Sequence, residues 1–140
     1  MIRSLVLALA LLLTSTVSAE QKKTYPGGFE VHYIVVTSTF LEPEVARRLG
    51  ITRGETQALV NLSVLKDGTP VSAAVTGNAT NLLGTVRDLE FREVREGTAI
   101  YSIAALRFSE EEYWRFDLEI DLPDRRAPAE LKFEQKLYKR

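Results

Sequence analysis

Few side chains in this 140-residue chain could carry covalent or metal chemistry. Its one histidine is His32, two residues after Glu30 in an alternating stretch, so the two would share a strand face. Two such ligands do not complete a transition-metal shell, and the chain has no cysteine to supply the rest. A nucleophilic triad would need His32 as base, with Ser38 or a more distant serine as nucleophile. No GxSxG elbow is present to present that serine. Glu110-Glu111-Glu112 and the pair Asp121 and Asp124 offer carboxylates, but neither has the alternating spacing of a calcium loop. Glycosidic chemistry turns on the separation of two carboxylates, which a sequence does not state. Both acidic groups read first as solvated turns. No glycine-rich phosphate loop occurs, and the glycosylation sequons at Asn61-Leu62-Ser63 and Asn78-Ala79-Thr80 are short motifs, the first inside a strand where a glycan fits poorly. The expectation is no catalytic residue, no metal site and no cofactor.

The elements that would position these groups begin after a separate leader. Residues 1–19 have a positive start at Arg3, an apolar run from Leu5 to Leu13 and the small-residue site Val17-Ser18-Ala19, the pattern of a cleaved signal peptide. The run is shorter than the roughly 20 residues that cross a bilayer, and no second apolar segment follows, so no membrane span is expected after cleavage. Without Arg3 the remainder has 17 Lys and Arg against 19 Asp and Glu, a balance that does not steer it to nucleic acid. With no cysteine, an exported domain must be held by its apolar core alone. Export without a lipid anchor implies a soluble periplasmic protein.

Residues 20–28, ending in Pro26-Gly27-Gly28, suit a flexible lead-in, and residues 29–140 a single domain. The first strand runs from Phe29 to Thr37, with Phe29, Val31, Tyr33 and Val35 on the core face and Glu30, His32, Ile34 and Val36 opposite. Pro43 opens a short helix that Gly50 closes, with Val45, Ala46 and Leu49 as its stripe. Such a helix is stable only when docked. Ala58, Val60, Leu62 and Val64 alternate along the next strand, and Lys66-Asp67-Gly68 turns it back toward Val71, Ala73 and Val75. Residues 78–84, NATNLLG, read as a turn-rich connector. Trp114, Phe116, Leu118 and Ile120 share one face of a later strand, Pro123 and Pro128 bracket a loop, and Leu131, Phe133 and Leu137 point inward from the last strand.

The densest strand signal is 89–108, LEFREVREGTAIYSIAALRF, which reads as a central hairpin turning at Gly97. Its second strand is apolar on both faces, so it should be covered on both. Val94 lies three residues after Phe91 and breaks the two-residue period, which predicts a β-bulge at Arg92-Glu93 unless Val94 faces solvent near the turn.

Together these elements predict an all-β fold: an immunoglobulin-like antiparallel β-sandwich of about seven strands with one short helix after the first strand, a small closed barrel being the alternative. The stretches NATNLLGTVRDLEFREVREGTAIYSIAALRF, EVHYIVVTSTFLEPEVARRLGI and ALVNLSVL resemble the small exported bacterial family called DUF4426. That resemblance implies a bacterial, periplasmic setting and carries no activity and no site residue.

The expected function is a non-catalytic periplasmic binding or protein-interaction module, its partner an envelope protein or peptide. The surfaces to search are the outer face carrying His32, Ile34 and Val36, and the loop with Asn78 and Asn81. One alternative is an envelope-acting hydrolase or lyase using carboxylates, or Tyr and Arg side chains, in a concave pocket. Another is a small-ligand carrier with an open cavity between the sheets. The oligomeric state is not legible.

Overall fold

The structure, a computed structural model, describes residues 20–140. The leader expected at 1–19 lies outside the described residues. Alternation of apolar and polar residues drives nearly all of the chain into strands, which run in order as β1 (Gln21–Tyr25), β2 (Phe29–Thr37), β3 (Gln57–Lys66), β4 (Thr69–Val71), β5 (Ala74–Asn81), β6 (Val86–Leu89), β7 (Arg92–Glu96), β8 (Ala99–Arg107), β9 (Glu111–Asp121) and β10 (Ala129–Tyr138). A 3₁₀ turn at Ser38–Phe40 and one helix, α1 (Pro43–Leu49), join β2 to β3.

These strands form two antiparallel sheets facing each other as an immunoglobulin-like sandwich. The first has the order β1-β2-β3-β8-β7, with β4 also on β3; the second has the order β10-β9-β5-β6. Between them lie Phe29, Val31 and Val35 of β2, Val60, Leu62 and Val64 of β3, Ala104 and Leu106 of β8, Trp114, Phe116, Leu118 and Ile120 of β9, and Leu131 and Leu137 of β10, all buried. Each of these alternating faces matches the sequence expectation, and Phe116 stacks on Phe133 with ring centroids 4.7 Å apart. The space between the sheets is therefore filled by side chains.

Ten strands replace the expected seven for three reasons. First, 21–25 is no flexible lead-in: it pairs with β2 from Gln21↔Tyr33 to Tyr25↔Phe29, and the Tyr25 hydroxyl donates to the Glu130 carbonyl at 2.6 Å. Its polar composition reflects an edge position, with one side to water. Second, β4 and β5 separate at Ser72-Ala73, where the chain passes from the first sheet to the second. Third, 89–108 is not one hairpin. Leu89 closes β6 in the second sheet, the chain crosses at Glu90-Phe91, and β7 begins in the first sheet.

That crossing accounts for the broken period without a bulge. β7 and β8 pair residue by residue from Arg92↔Ile103 to Glu96↔Ala99. Leu89 and Phe91 pack on the core between the sheets, whereas Val94 packs on the far side of the first sheet. The β7–β8 hairpin itself is as expected, with Gly97 at φ 60°, but β7 is an edge strand and the pair is not central.

The second apolar face of β8 is covered by the helix. Leu49 of α1 packs with Leu59 of β3 and Ile103 of β8, flanked by Val36, Leu41, Val45, Ile51, Val94 and Tyr101. Pro43 stands at the first helical position and Gly50 at the left-handed C-cap, φ 68°. Gly77 serves a different need, because a Cβ there would sit on the Asp117 carbonyl oxygen and 2.8 Å from Leu118 Cα. Only a residue without a side chain lets β5 lie this close to β9.

Candidate functional site

His32 sits on the outer face of the first sheet between Glu20, just before β1, and Glu30 of β2, with Lys22 of β1 paired to Glu30. Its Nδ1 lies 2.8 Å from Glu20 Oε1 and its Nε2 2.9 Å from Glu30 Oε2, while Lys22 Nζ is 3.3 Å from Glu30 Oε1. Neutral imidazole has a single N–H, so only the protonated ring donates to both carboxylates. The hydrogen bond with Glu30, opposed by burial and assisted by Glu20, accordingly holds the His32 pKa above its ordinary value. Glu30 is held below its own ordinary value, first by His32 and then by Lys22. The cluster pins the edge strand to its neighbour, and both ring nitrogens are engaged within the protein.

The other residues expected on this face have local roles. Val36 packs beside Leu49, Leu59 and Ile103 beneath α1. Ile34 is half-buried, opposite Asn61 in the ladder. The helix thus takes up the apolar half of the face that the sequence left without a cover.

Asn78 lies within β5, not in a connector, and Asn81 is its last residue. Asn78 faces outward on the second sheet, where with Thr80, Arg115, Asp117, Lys132 and Glu134 it lines a shallow groove of about 480 Å³. Cross-strand register sets Asp117 beside Lys132 and Arg115 beside Glu134. Opposite charges therefore alternate across the face, the pattern of a solvated sheet surface. Tyr113 adds to it by donating its hydroxyl to Glu134.

Asn81 is buried and organises the β5–β6 turn. Its Oδ1 accepts the Leu83 N–H at 3.1 Å and the Thr85 N–H at 2.9 Å, and its Nδ2 donates to Glu112 Oε2 at 2.7 Å. Two backbone bonds close the same loop, Asn81 N–H to the Thr85 carbonyl and Gly84 N–H to the Asn81 carbonyl, both 3.1 Å. Burial pushes the Glu112 carboxyl up, but the Ser109 N–H and the Asn81 amide, with Arg87 nearby, outweigh it and leave the group below the ordinary carboxylate range. Held in this way, the turn projects Leu82 and Leu83 into solvent, 78% and 91% exposed.

Among the described residues the other exposed large apolar side chains are Phe40, Val86 and Tyr138. All five occupy one end of the sandwich. Tyr138 pairs with Glu111 at the start of β9, Thr37 at the end of β2 donates its hydroxyl to the Tyr138 carbonyl at 3.1 Å, and Phe40 and Tyr138 flank the Arg140 guanidinium. Leu82 and Leu83 share a recess with Glu111, Glu112 and Tyr113. The opposite end is built from the turns at Gly27-Gly28 and Asp67-Gly68, joined by the Asp67 N–H to the Gly28 carbonyl, and from the loop carrying Asp124, which pairs with Lys66. Its turns are polar. Asn81 lies at a surface the sequence points to, but the exposed leucines beside it, inside the expected connector 78–84, carry no signal in the sequence that they are left uncovered.

The acidic groups that might have served catalysis are dispersed. Glu111 pairs with Lys136, Glu112 with Asn81 and Ser109, and Asp124, in the loop after β9, with Lys66 at the other end; His32 lies on the first sheet and Glu111 and Glu112 on the second.

Comparison with known proteins follows the same lines. The sequence profile of the family described as "Domain of unknown function (DUF4426)" matches residues 23–140. A crystal structure of a DUF4426 family protein from Pseudomonas aeruginosa is similar at 36% identity and a TM-score of 0.77, covering 86% of this chain and 96% of that one. A copper-bound variant of FetP from uropathogenic Escherichia coli is similar in fold at 12% identity and a TM-score of 0.62, covering 86% and 95% of the two chains. FetP as isolated after recombinant expression in the E. coli periplasm has a TM-score of 0.56 at 11% identity, covering 87% and 95%. No curated protein matches the chain significantly.

Proposed function

The chain belongs to the DUF4426 family, and on that premise we propose that it is a non-catalytic interaction module of the bacterial periplasm. It engages an envelope protein through the end of the sandwich that carries Leu82 and Leu83. The observation that carries this reading is that the exposed large apolar side chains among the described residues, Phe40, Leu82, Leu83, Val86 and Tyr138, all lie at one end, with polar turns at the other. Single apolar side chains are ordinary on a protein surface, whereas the restriction of the large exposed ones to one end points to an interface there. The leader pattern at 1–19 supports a periplasmic location. Among the described residues no helix is long and apolar enough to cross a membrane.

Copper, which the FetP variant binds, does not fit the described side chains of this chain. Among the described residues no three His, Cys, Asp or Glu groups gather as a shell, and both nitrogens of the one histidine are already taken by Glu20 and Glu30. Softer thiolate ligands are lacking altogether.

Photocrosslinking in intact cells tests the reading. A photoreactive residue at Phe40 or Leu83 should give discrete protein adducts, and one at Gly68, on the opposite end, should not. Equal adduct patterns from both ends would overturn it.

A further inference from the structure

The β5–β6 turn differs from an ordinary exposed loop in being rigid at the point where it is most apolar. Asn81 makes three carboxamide hydrogen bonds in the turn, two acceptor bonds to the backbone and one donor bond to Glu112, and Gly84 closes it at φ 84°. A solvated connector has no need of a buried asparagine to fix its shape. Fixing two leucines in advance removes the entropy that docking would otherwise cost, as expected of an interface anchor.

The surroundings of the turn select among possible occupants. Its recess is lined by Glu111, Glu112 and Tyr113, and Glu112 is held ionised. The recess beside the apolar tip presents carboxylates, whereas juxtamembrane binding to an anionic bilayer relies on Lys and Arg. The carboxylates also oppose a symmetric contact between two copies, which would bring them face to face. Glu111 pairs with Lys136 in an exposed ion pair at 3.3 Å that a partner can replace at little cost.

We infer that Leu82 and Leu83 form a preformed anchor that enters an apolar pocket of a partner protein, a pocket bordered by basic side chains that meet Glu111. This rests on the interaction reading above and specifies which part of the end carries the affinity and what chemistry the partner presents.

The test uses the full chain with a photoreactive residue at Leu83, expressed in its own cells, with the adduct identified by mass spectrometry and the partner then purified. Affinity for that partner is measured for the wild type and for Leu82→Ser, Leu83→Ser, Glu111→Lys and Phe40→Ser. The expected result is a loss of about thirtyfold or more for either leucine, the scale of an interface hot spot, and a smaller, salt-dependent loss for Glu111→Lys. Asn81→Ala, which leaves both leucines in place, should weaken binding by slowing association. A partner lost with Phe40→Ser but unaffected by the leucine substitutions would overturn the anchor and leave the interaction reading standing. Adducts only to lipid or to a second copy of the chain would overturn both.

Discussion

Asn81 and Glu112 meet across 31 residues of sequence, the amide of one donating to the carboxylate of the other at 2.7 Å. The bond ties the β5–β6 turn to the start of β9, and through the same asparagine it fixes the backbone at Leu83 and Thr85. A single side chain thus links the stability of the sheet to the shape of the proposed binding tip.

Asn81→Ala should therefore cost about 1–3 kcal/mol, the usual penalty for leaving buried polar partners unmatched. Asn81→Asp should cost more at neutral pH, since it sets a second carboxylate against Glu112. Urea unfolding measures the loss. Hydrogen exchange at the Leu83 and Thr85 amides should accelerate in Asn81→Ala but not in Asn81→Asp, whose side chain keeps an oxygen to accept both N–H groups; unchanged exchange in Asn81→Ala would show that the backbone bonds alone hold the turn.

Gly77 should tolerate no side chain. Its Cβ would collide with backbone atoms of Asp117 and Leu118, which cannot move aside as a flexible side chain does. Gly77→Ala is expected to destabilise by about 2–3 kcal/mol, the range of overpacking in a close-packed interior. Gly97→Ala, with open space around the Cβ position, carries only the strain of positive φ and should cost about 1 kcal/mol. Thermal unfolding of the pair separates close approach from backbone strain.

The His32 cluster predicts a pH window for the edge strand. The His32 pKa is raised above 6.5, so its contribution is complete below that value and is lost as pH rises through the folded-state pKa. The Glu30 pKa is lowered below 4.5, so its contribution is complete above that value and is lost as pH falls through the folded-state pKa. The β1 strand is held most firmly between the two. Protection of the β1 amides should decline from mildly acidic to mildly alkaline pH in the wild type and become flat over that range in His32→Gln. In Glu30→Gln, an NMR titration should find the His32 pKa moved down toward its ordinary value.

Leu59 tests the cover over the first sheet. Leu59→Ala removes the centre of the cluster beneath α1 and should cost about 2–4 kcal/mol. A helix of seven residues does not persist without such a support. Amide protection across α1 should therefore fall more than protection in β9, and equal losses would mean that the helix and sheet unfold as one unit.

The inner faces of β2, β3 and β9 were legible because they depend only on neighbours two residues apart. Phe29, Val31 and Val35, Ala58 to Val64 at every second place, and Trp114 to Ile120 likewise are buried as their alternation requires. Pro43 and Gly50 marked the helix ends through their own backbone restrictions. The fold class followed from such local signals. What the sequence could not state is which strand lies beside which. The polar segment Gln21–Tyr25 becomes a strand only because β2 offers it an edge, and the broken period at Val94 becomes a crossing between sheets only because β6 pairs with β5. Burial of Val36 and exposure of Leu83 follow from the same non-local pairings: one residue lies beneath a helix that folds over it, and the other beyond the last row of the second sheet. Local sequence set the faces of the strands, and tertiary structure decided which apolar residues were left uncovered.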